Sequence, residues 1–165
     1  MRRSTSPVFP VAVLIDTREQ RPFSFDGIPA DKEAGGGVWQ VKTDRRGIPS
    51  GDYSLDGFAD RVAVERKSVS DLFGTLSAGR ARFVRELERL STYDFAAVVI
   101  EGDWSEIITD PPARSQLPPR LVFRSIVAWQ QRYPRVHWWP CPNRDFAEVC
   151  TFRILERFLK EQAAK

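Results

Sequence analysis

The stretch from Arg61 to Ser77 leaves few folds open. Valines alternate at positions 62 and 64, the pattern of a strand with one face packed. The apolar signal then stops at Glu65-Arg66-Lys67 and passes into Ser68-Val69-Ser70-Asp71, a capping-box spacing that opens a helix through about Ser77. Strand parity places Val62 and Val64 on one face and Ala63, Glu65 and Lys67 on the other. Arg66 therefore points away from its two charged neighbours. Packing has no use for a carboxylate and an ammonium side by side at a strand end, so this junction is read as chemistry.

The rest of the chain supplies a sheet and its covering helices. Asp52 to Leu55 pairs with Arg61 to Lys67 as an antiparallel hairpin across the turn-rich Asp56-Gly57-Phe58-Ala59-Asp60. Val11 to Ile15 reads as a buried strand, and Val38 to Lys42 as a second strand after an irregular passage, Thr17 to Gly37, rich in Gly and Pro. Downstream, the spacing predicts a helix over Gly79 to Tyr93, a buried strand over Phe95 to Glu101, a helix over Arg120 to Arg132 and a short strand over Val136 to Trp139. A last helix, Arg144 to Lys160, carries Phe146, Cys150, Ile154 and Phe158 at a four-residue interval. This order implies an α/β fold, a mixed central sheet flanked by helices. At 165 residues, one domain over 1–165 is expected, with 1–9 as a flexible tail.

Composition removes several classes of chemistry. His137 is the sole histidine, so mechanisms needing two are excluded, and Cys141 and Cys150 lack the close Cys/His spacing of a zinc site. The two cysteines read as buried free thiols. Apolar runs such as Phe95 to Ile100 are far shorter than the roughly 20 residues that span a bilayer, and no apolar segment follows Arg2-Arg3. No membrane association is expected, and the location is expected to be intracellular, in the cytoplasm. Of the 25 basic residues 20 are arginine, which suits bidentate contact with phosphate, but a net charge of +3 does not by itself establish nucleic-acid binding. Trp104, Trp129, Trp138 and Trp139 read as core or dimer packing rather than as base-stacking platforms.

What remains for catalysis is carboxylates and cations. Phosphodiester hydrolysis needs a nucleophilic water and neutralisation of charge on the phosphoryl oxygens, and carboxylate-held divalent metals supply both. Asp52 and Glu65, on adjacent strands, can point at one ion, with Asp16 at the end of the first strand as a further ligand or a holder of metal-bound water. Lys67, beside Glu65, is placed to stabilise an attacking hydroxide or the developing transition-state charge. Arg66 has two open roles: reaching round the strand end to a phosphate, or organising the acidic cluster from behind.

The string Gly51-Asp52-Tyr53, twelve residues, then Glu65-Arg66-Lys67-x-x-x-Asp71 resembles the motif of the XPF/Mus-type structure-specific endonucleases, a branch of the PD-(D/E)xK nucleases. Asp16-Thr17-Arg18-Glu19 is similar to that family's first motif, and Leu76-Ser77-Ala78-Gly79-Arg80 to the segment after its active site. The resemblance, from about Leu14 to Glu101, implies a restriction-endonuclease-like fold and a DNA endonuclease dependent on Mg²⁺ or Mn²⁺, acting on branched, flap or fork duplexes in repair or recombination. It assigns metal binding to Asp16, Asp52 and Glu65, catalysis to Lys67, supporting roles to Arg18, Arg66 and Asp71, and DNA contact to Arg80. It also implies a homodimer through the C-terminal helices. With no tandem helix-hairpin-helix segment read after the nuclease region, the chain is expected to resemble the short stand-alone forms of bacteria and phages. A catalytically silent nuclease-like DNA-binding subunit, or another nuclease of the superfamily with a different substrate, stays open as an alternative.

Overall fold

The computed structural model describes residues 6–165. Six strands form one mixed sheet in the order β2-β1-β3-β4-β5-β6. In chain order the elements are β1 (Val13–Ile15), β2 (Thr43–Arg45), β3 (Tyr53–Leu55), β4 (Val62–Lys67), α1 (Val69–Leu76), α2 (Arg80–Leu90), β5 (Phe95–Ile100), α3 (Trp104–Thr109), α4 (Pro119–Arg132), β6 (Val136–Pro140) and α5 (Arg144–Ala163). β3 runs antiparallel to both β1 and β4, whereas β4, β5 and β6 are parallel. The carboxyl ends of β1, β4 and β5 and the start of β3 therefore share one edge of the sheet. In open α/β sheets this is the edge where ligands bind.

Two apolar layers sandwich the sheet. Ala63, Ala96 and Val98 face α1, α2 and α4 through Leu72, Phe83, Leu87, Ile126 and Trp129. Val62, Val64, Ala97 and Val99 face α5 and the irregular N-terminal region through Phe23, Phe25, Phe152 and Leu155. The alternation expected for β4 is thus observed, with its valines on the α5 side. Ser68 caps α1, its hydroxyl accepting from the Asp71 N–H at 3.0 Å while the Asp71 carboxylate accepts from the Ser68 N–H at 3.4 Å.

Several expectations need correction. The second strand is not Val38–Lys42: Val38 and Gln40 make only isolated bridges, and the strand that pairs with β1 is Thr43–Arg45. All three of its side chains are exposed, as befits an edge strand selected by backbone pairing and not by burial. The six-residue α3 and a single 3₁₀ turn at Lys32–Ala34 were not foreseen. On α5 the row Phe146, Cys150, Ile154, Phe158 is only partly buried: Cys150 and Phe158 join Ala147, Thr151, Phe152 and Leu155 in the interior, whereas Phe146 is 52% exposed. Of the expected tail, residues 1–5 lie outside the described residues. Val8 bridges Gln40 and Phe9 packs in the α5-side core, so ordered structure begins before residue 10.

Candidate active site

The β3–β4 pairing assembles the centre of the site. Tyr53 opposite Val64 in antiparallel register sets Asp52 opposite Glu65, on the sheet face that carries Ala63. Directly opposed residues in such a pair have Cβ atoms about 5 Å apart. The Asp52 N–H donates to the Val64 carbonyl at 2.9 Å, the Asp52 carbonyl accepts from the Asp16 N–H at 2.8 Å, and Asp52 Oδ2 accepts from the Arg66 N–H at 2.7 Å. Gly51 makes this approach possible. Its φ of +79° suits glycine, and a Cβ there would lie 3.0 Å from the Ala63 Cβ and 3.2 Å from the Val64 carbonyl oxygen. The Gly51 N–H is in turn held by Glu86 Oε1 of α2 at 3.0 Å.

Lys67 lies where parity puts it. Its Nζ is 2.6 Å from Glu65 Oε1 and 5.1 Å from the centre of the Phe83 ring. Burial works against the ammonium, but Glu65, Asp52 and Asp71 outweigh it and hold the Lys67 pKa above its ordinary value. Asp52 moves the other way. Burial first, then the Glu65 charge, push its carboxyl well above the usual range, although the Arg66 N–H and Lys67 oppose them. Two carboxylates meet here, Glu65 paired with the Lys67 ammonium and Asp52 with the Arg66 backbone N–H. The cleft that Asp52, Glu65 and Lys67 line, about 450 Å³, also takes in Arg18, Arg82, Phe83, Glu86 and Arg89.

These donors suit a hard divalent cation. Among the described residues neither Asp52 Oδ1 nor Glu65 Oε2 has a hydrogen-bond partner, so each carboxylate has one oxygen free for the cleft. Burial and the Glu65 charge hold the Asp52 carboxyl above its usual range, and Mg²⁺ is commonly held by one or two carboxylates while keeping several waters. The three-carboxylate set read from the sequence is not assembled. Among the described residues no group of three or more His, Cys, Asp or Glu side chains is gathered to hold an ion. Asp16, 1% exposed, is already engaged: Oδ1 accepts from the Arg18 N–H at 2.8 Å and Nε at 2.7 Å, and Oδ2 from Arg18 Nη2 at 3.2 Å and the Ile48 N–H at 3.0 Å. Burial alone would raise its carboxyl, but Arg18 and the two backbone donors win and keep it below the ordinary range.

The other predicted residues fall into three positions. Arg18 is 74% exposed at the cleft mouth, anchored by Asp16. The Arg66 side chain pairs with carboxylates other than Asp16, Asp52 and Glu65. On the α5 side of the sheet its guanidinium is 8% exposed, with Nε 2.8 Å from Glu19 Oε2 and Nη1 2.8 Å from Glu101 Oε1. Burial opposes its charge, yet Glu19 and Glu101 prevail and raise its pKa. Arg80 is exposed at the start of α2, where Nη1 donates to Ser125 Oγ at 2.8 Å and the guanidinium lies 4.8 Å over the Trp129 ring, tying α2 to α4.

Sequence reasoning missed Glu19, Glu101, Arg144 and Glu86 as parts of this apparatus. Arg144, at the first turn of α5, reaches Glu101 and stacks 4.8 Å over Phe23. These partners are 35 to 47 residues apart, and no local spacing announces them. Only Glu19 stood inside a quoted motif.

Comparison with known proteins agrees with this geometry. The profile of the ERCC4 domain matches residues 15–151. No curated protein matches the chain in sequence. Among solved structures, XPF from Aeropyrum pernix is similar with a TM-score of 0.61 at 22% identity, over 92% of this chain and 61% of that one. The same protein in complex with DNA gives 0.61 at 23% identity, over 92% and 66%. The shared feature at these identities is the fold, and the chain spans less than two thirds of the length of either structure.

Proposed function

The chain belongs to the ERCC4 domain family of nucleases, and from that premise we propose that it is a divalent-metal-dependent DNA endonuclease acting on branched, flap or fork duplexes. The observation that carries the proposal is the convergence of Asp52, Glu65 and Lys67 on one cleft at the carboxyl edge of the sheet. Asp52 and Glu65 would hold Mg²⁺ or Mn²⁺, which when bound supplies Lewis-acid charge and a water of lowered pKa. Lys67, kept charged by its neighbours, stabilises negative charge developing on the phosphoryl oxygens. Arg18 offers an exposed guanidinium at the cleft mouth for a neighbouring phosphate. Asp71 caps α1 and adds negative potential beside Lys67, a supporting role.

One observation favours a second reading, a catalytically silent DNA-binding relative: both Asp16 oxygens are already engaged. A single panel separates the readings. Purified protein is incubated with labelled flap, fork, nicked and linear duplexes, with Mg²⁺, Mn²⁺ or chelator. The proposal expects metal-dependent cutting of the branched forms, reduced at least about 100-fold by Lys67→Ala. DNA binding without cutting under either metal supports the silent relative, and equal cutting of every duplex removes structure specificity while leaving the nuclease.

The same reading includes a second copy of the chain on the α5 side. An open groove of about 640 Å³ is lined by Phe95, Trp139, Phe146, Val149, Ile154 and Phe158, with Trp139 45% exposed on the edge strand β6. This apolar stretch, bordered by Asp94, Arg153, Arg157 and Glu161, supports a second copy as its occupant. Sedimentation is expected to give a dimer that Phe146→Glu converts to monomer; a monomeric wild type at all concentrations contradicts it.

A further inference from the structure

Helix α2 carries cations that the chemistry of the cleft leaves unexplained. Arg82, Arg85 and Arg89 recur at intervals of three and four, which places them along one face of the helix. All three are exposed, while Phe83, Leu87 and Leu90 bury the opposite face in the core. Arg82 and Arg89 line the cleft that holds Asp52, Glu65 and Lys67. Arg85 and Arg89 line a neighbouring depression with Ser50 and Tyr93, so the stripe starts beside the carboxylates and leads away from them over the surface. Asp60 and Glu88 also line that depression, Glu88 standing on α2 between Arg85 and Arg89.

The three arginines are not equally engaged. Arg89 is paired with Glu86, and its Nε lies 3.3 Å from Ser50 Oγ, so it is held in place next to the Gly51 turn. Among the described residues Arg82 and Arg85 have no ion-pair or hydrogen-bond partner, a state shared by the exposed Arg114, Arg120, Arg124, Arg132 and Arg135; what sets Arg82 and Arg85 apart is their place on one helix face beside the cleft. Unpaired guanidiniums in a row beside a site built to bind phosphodiesters are complementary to a polyanion. From Arg82 to Arg89 the helix rises about 10 Å. This matches about three nucleotides of one strand at roughly 3.4 Å each.

We propose that this face of α2 is a backbone track. Arg82 and Arg85 bind successive phosphates of the strand that enters the cleft, and Arg89 fixes the junction between track and cleft. The track holds the strand by its phosphates and reads no bases. This proposal rests on the nuclease reading, and its test must fail separately from it.

The test is fluorescence anisotropy of the full chain with a labelled nicked duplex in chelator, over a range of potassium chloride. Arg82→Gln and Arg85→Gln are each expected to weaken binding equally for unrelated sequences and to reduce the magnitude of the log affinity against log salt slope by about 1. Arg85→Lys is expected to restore the slope. Arg157→Gln, on α5 across the sheet, is expected to leave it unchanged. Thermal melting of the two glutamine variants should match wild type, since neither side chain has an intramolecular partner among the described residues. Wild-type binding with an unchanged slope in both variants overturns the track and leaves the nuclease standing. A wild type that neither binds nor cuts DNA overturns both.

Discussion

Asp52 is where function and stability pull in opposite directions. It is buried beside Glu65, and burial followed by that charge raises its pKa in the folded protein. Between the unfolded value near 3.9 and the raised folded value, the native state binds more protons than the unfolded chain. Stability therefore falls as pH rises through that window, and the loss persists at neutral pH. Without metal, Asp52→Asn is expected to melt above wild type at pH 7, the gap closing toward pH about 4. Scanning calorimetry checks this, and a variant that melts at or below wild type at pH 7 contradicts it. The asparagine oxygen can still accept from the Arg66 N–H, so the substitution removes charge and little else. Arg66 presents the opposite case, a charge that stabilises because it is enclosed by Glu19 and Glu101. Arg66→Met leaves those buried carboxylates short of a partner, a change that costs about 3–5 kcal/mol. For a domain of this size the expected drop in Tm is on the order of 10 °C. A shift below about 2 °C would show that Arg144 alone satisfies Glu101 and that Glu19 finds water.

At the scale of elements, the informative junctions were legible where local rules act alone. The parity of β4 separated Glu65 and Lys67 from Arg66, and the two cores confirm the division of the strand's apolar residues. Ser68 and Asp71 announced the start of α1 by the capping box that forms there. The failures lie where tertiary structure makes the decision. β2 has no buried side chain, so no hydrophobic pattern could mark it, and it exists because β1 offers an edge. α3 buries only Ile107 and is too short to show a helical period. Arg80 stood inside a quoted motif, but its contacts with Ser125 and Trp129 of α4 were not legible, because they join positions far apart in the chain.

For the whole molecule, the sheet edge gathers groups from distant parts of the chain. β1 contributes Asp16 and the Arg18–Glu19 loop, β3 contributes Asp52, β4 contributes Glu65 through Lys67, and the end of β5 contributes Glu101. α5 closes the far side through Arg144, so the last helix is coupled to β4 by the chain of contacts Arg144, Glu101, Arg66, Glu19. The fold class was readable from the order of elements, but this coupling was not, because it depends on contacts that only the assembled sheet creates. No helix among the described residues is long and apolar enough to cross a membrane. The proposed function turns on Asp52 and Glu65 holding a divalent ion that lets Lys67 and its neighbours cut a phosphodiester. The most direct test is the rate of strand scission of a flap duplex against Mn²⁺ concentration for wild type and Glu65→Gln side by side. The account predicts saturable metal dependence in wild type, no cutting in chelator, and a rate at least about 100-fold lower in the variant at every concentration. Scission in chelator, or equal rates for the two proteins, would contradict it.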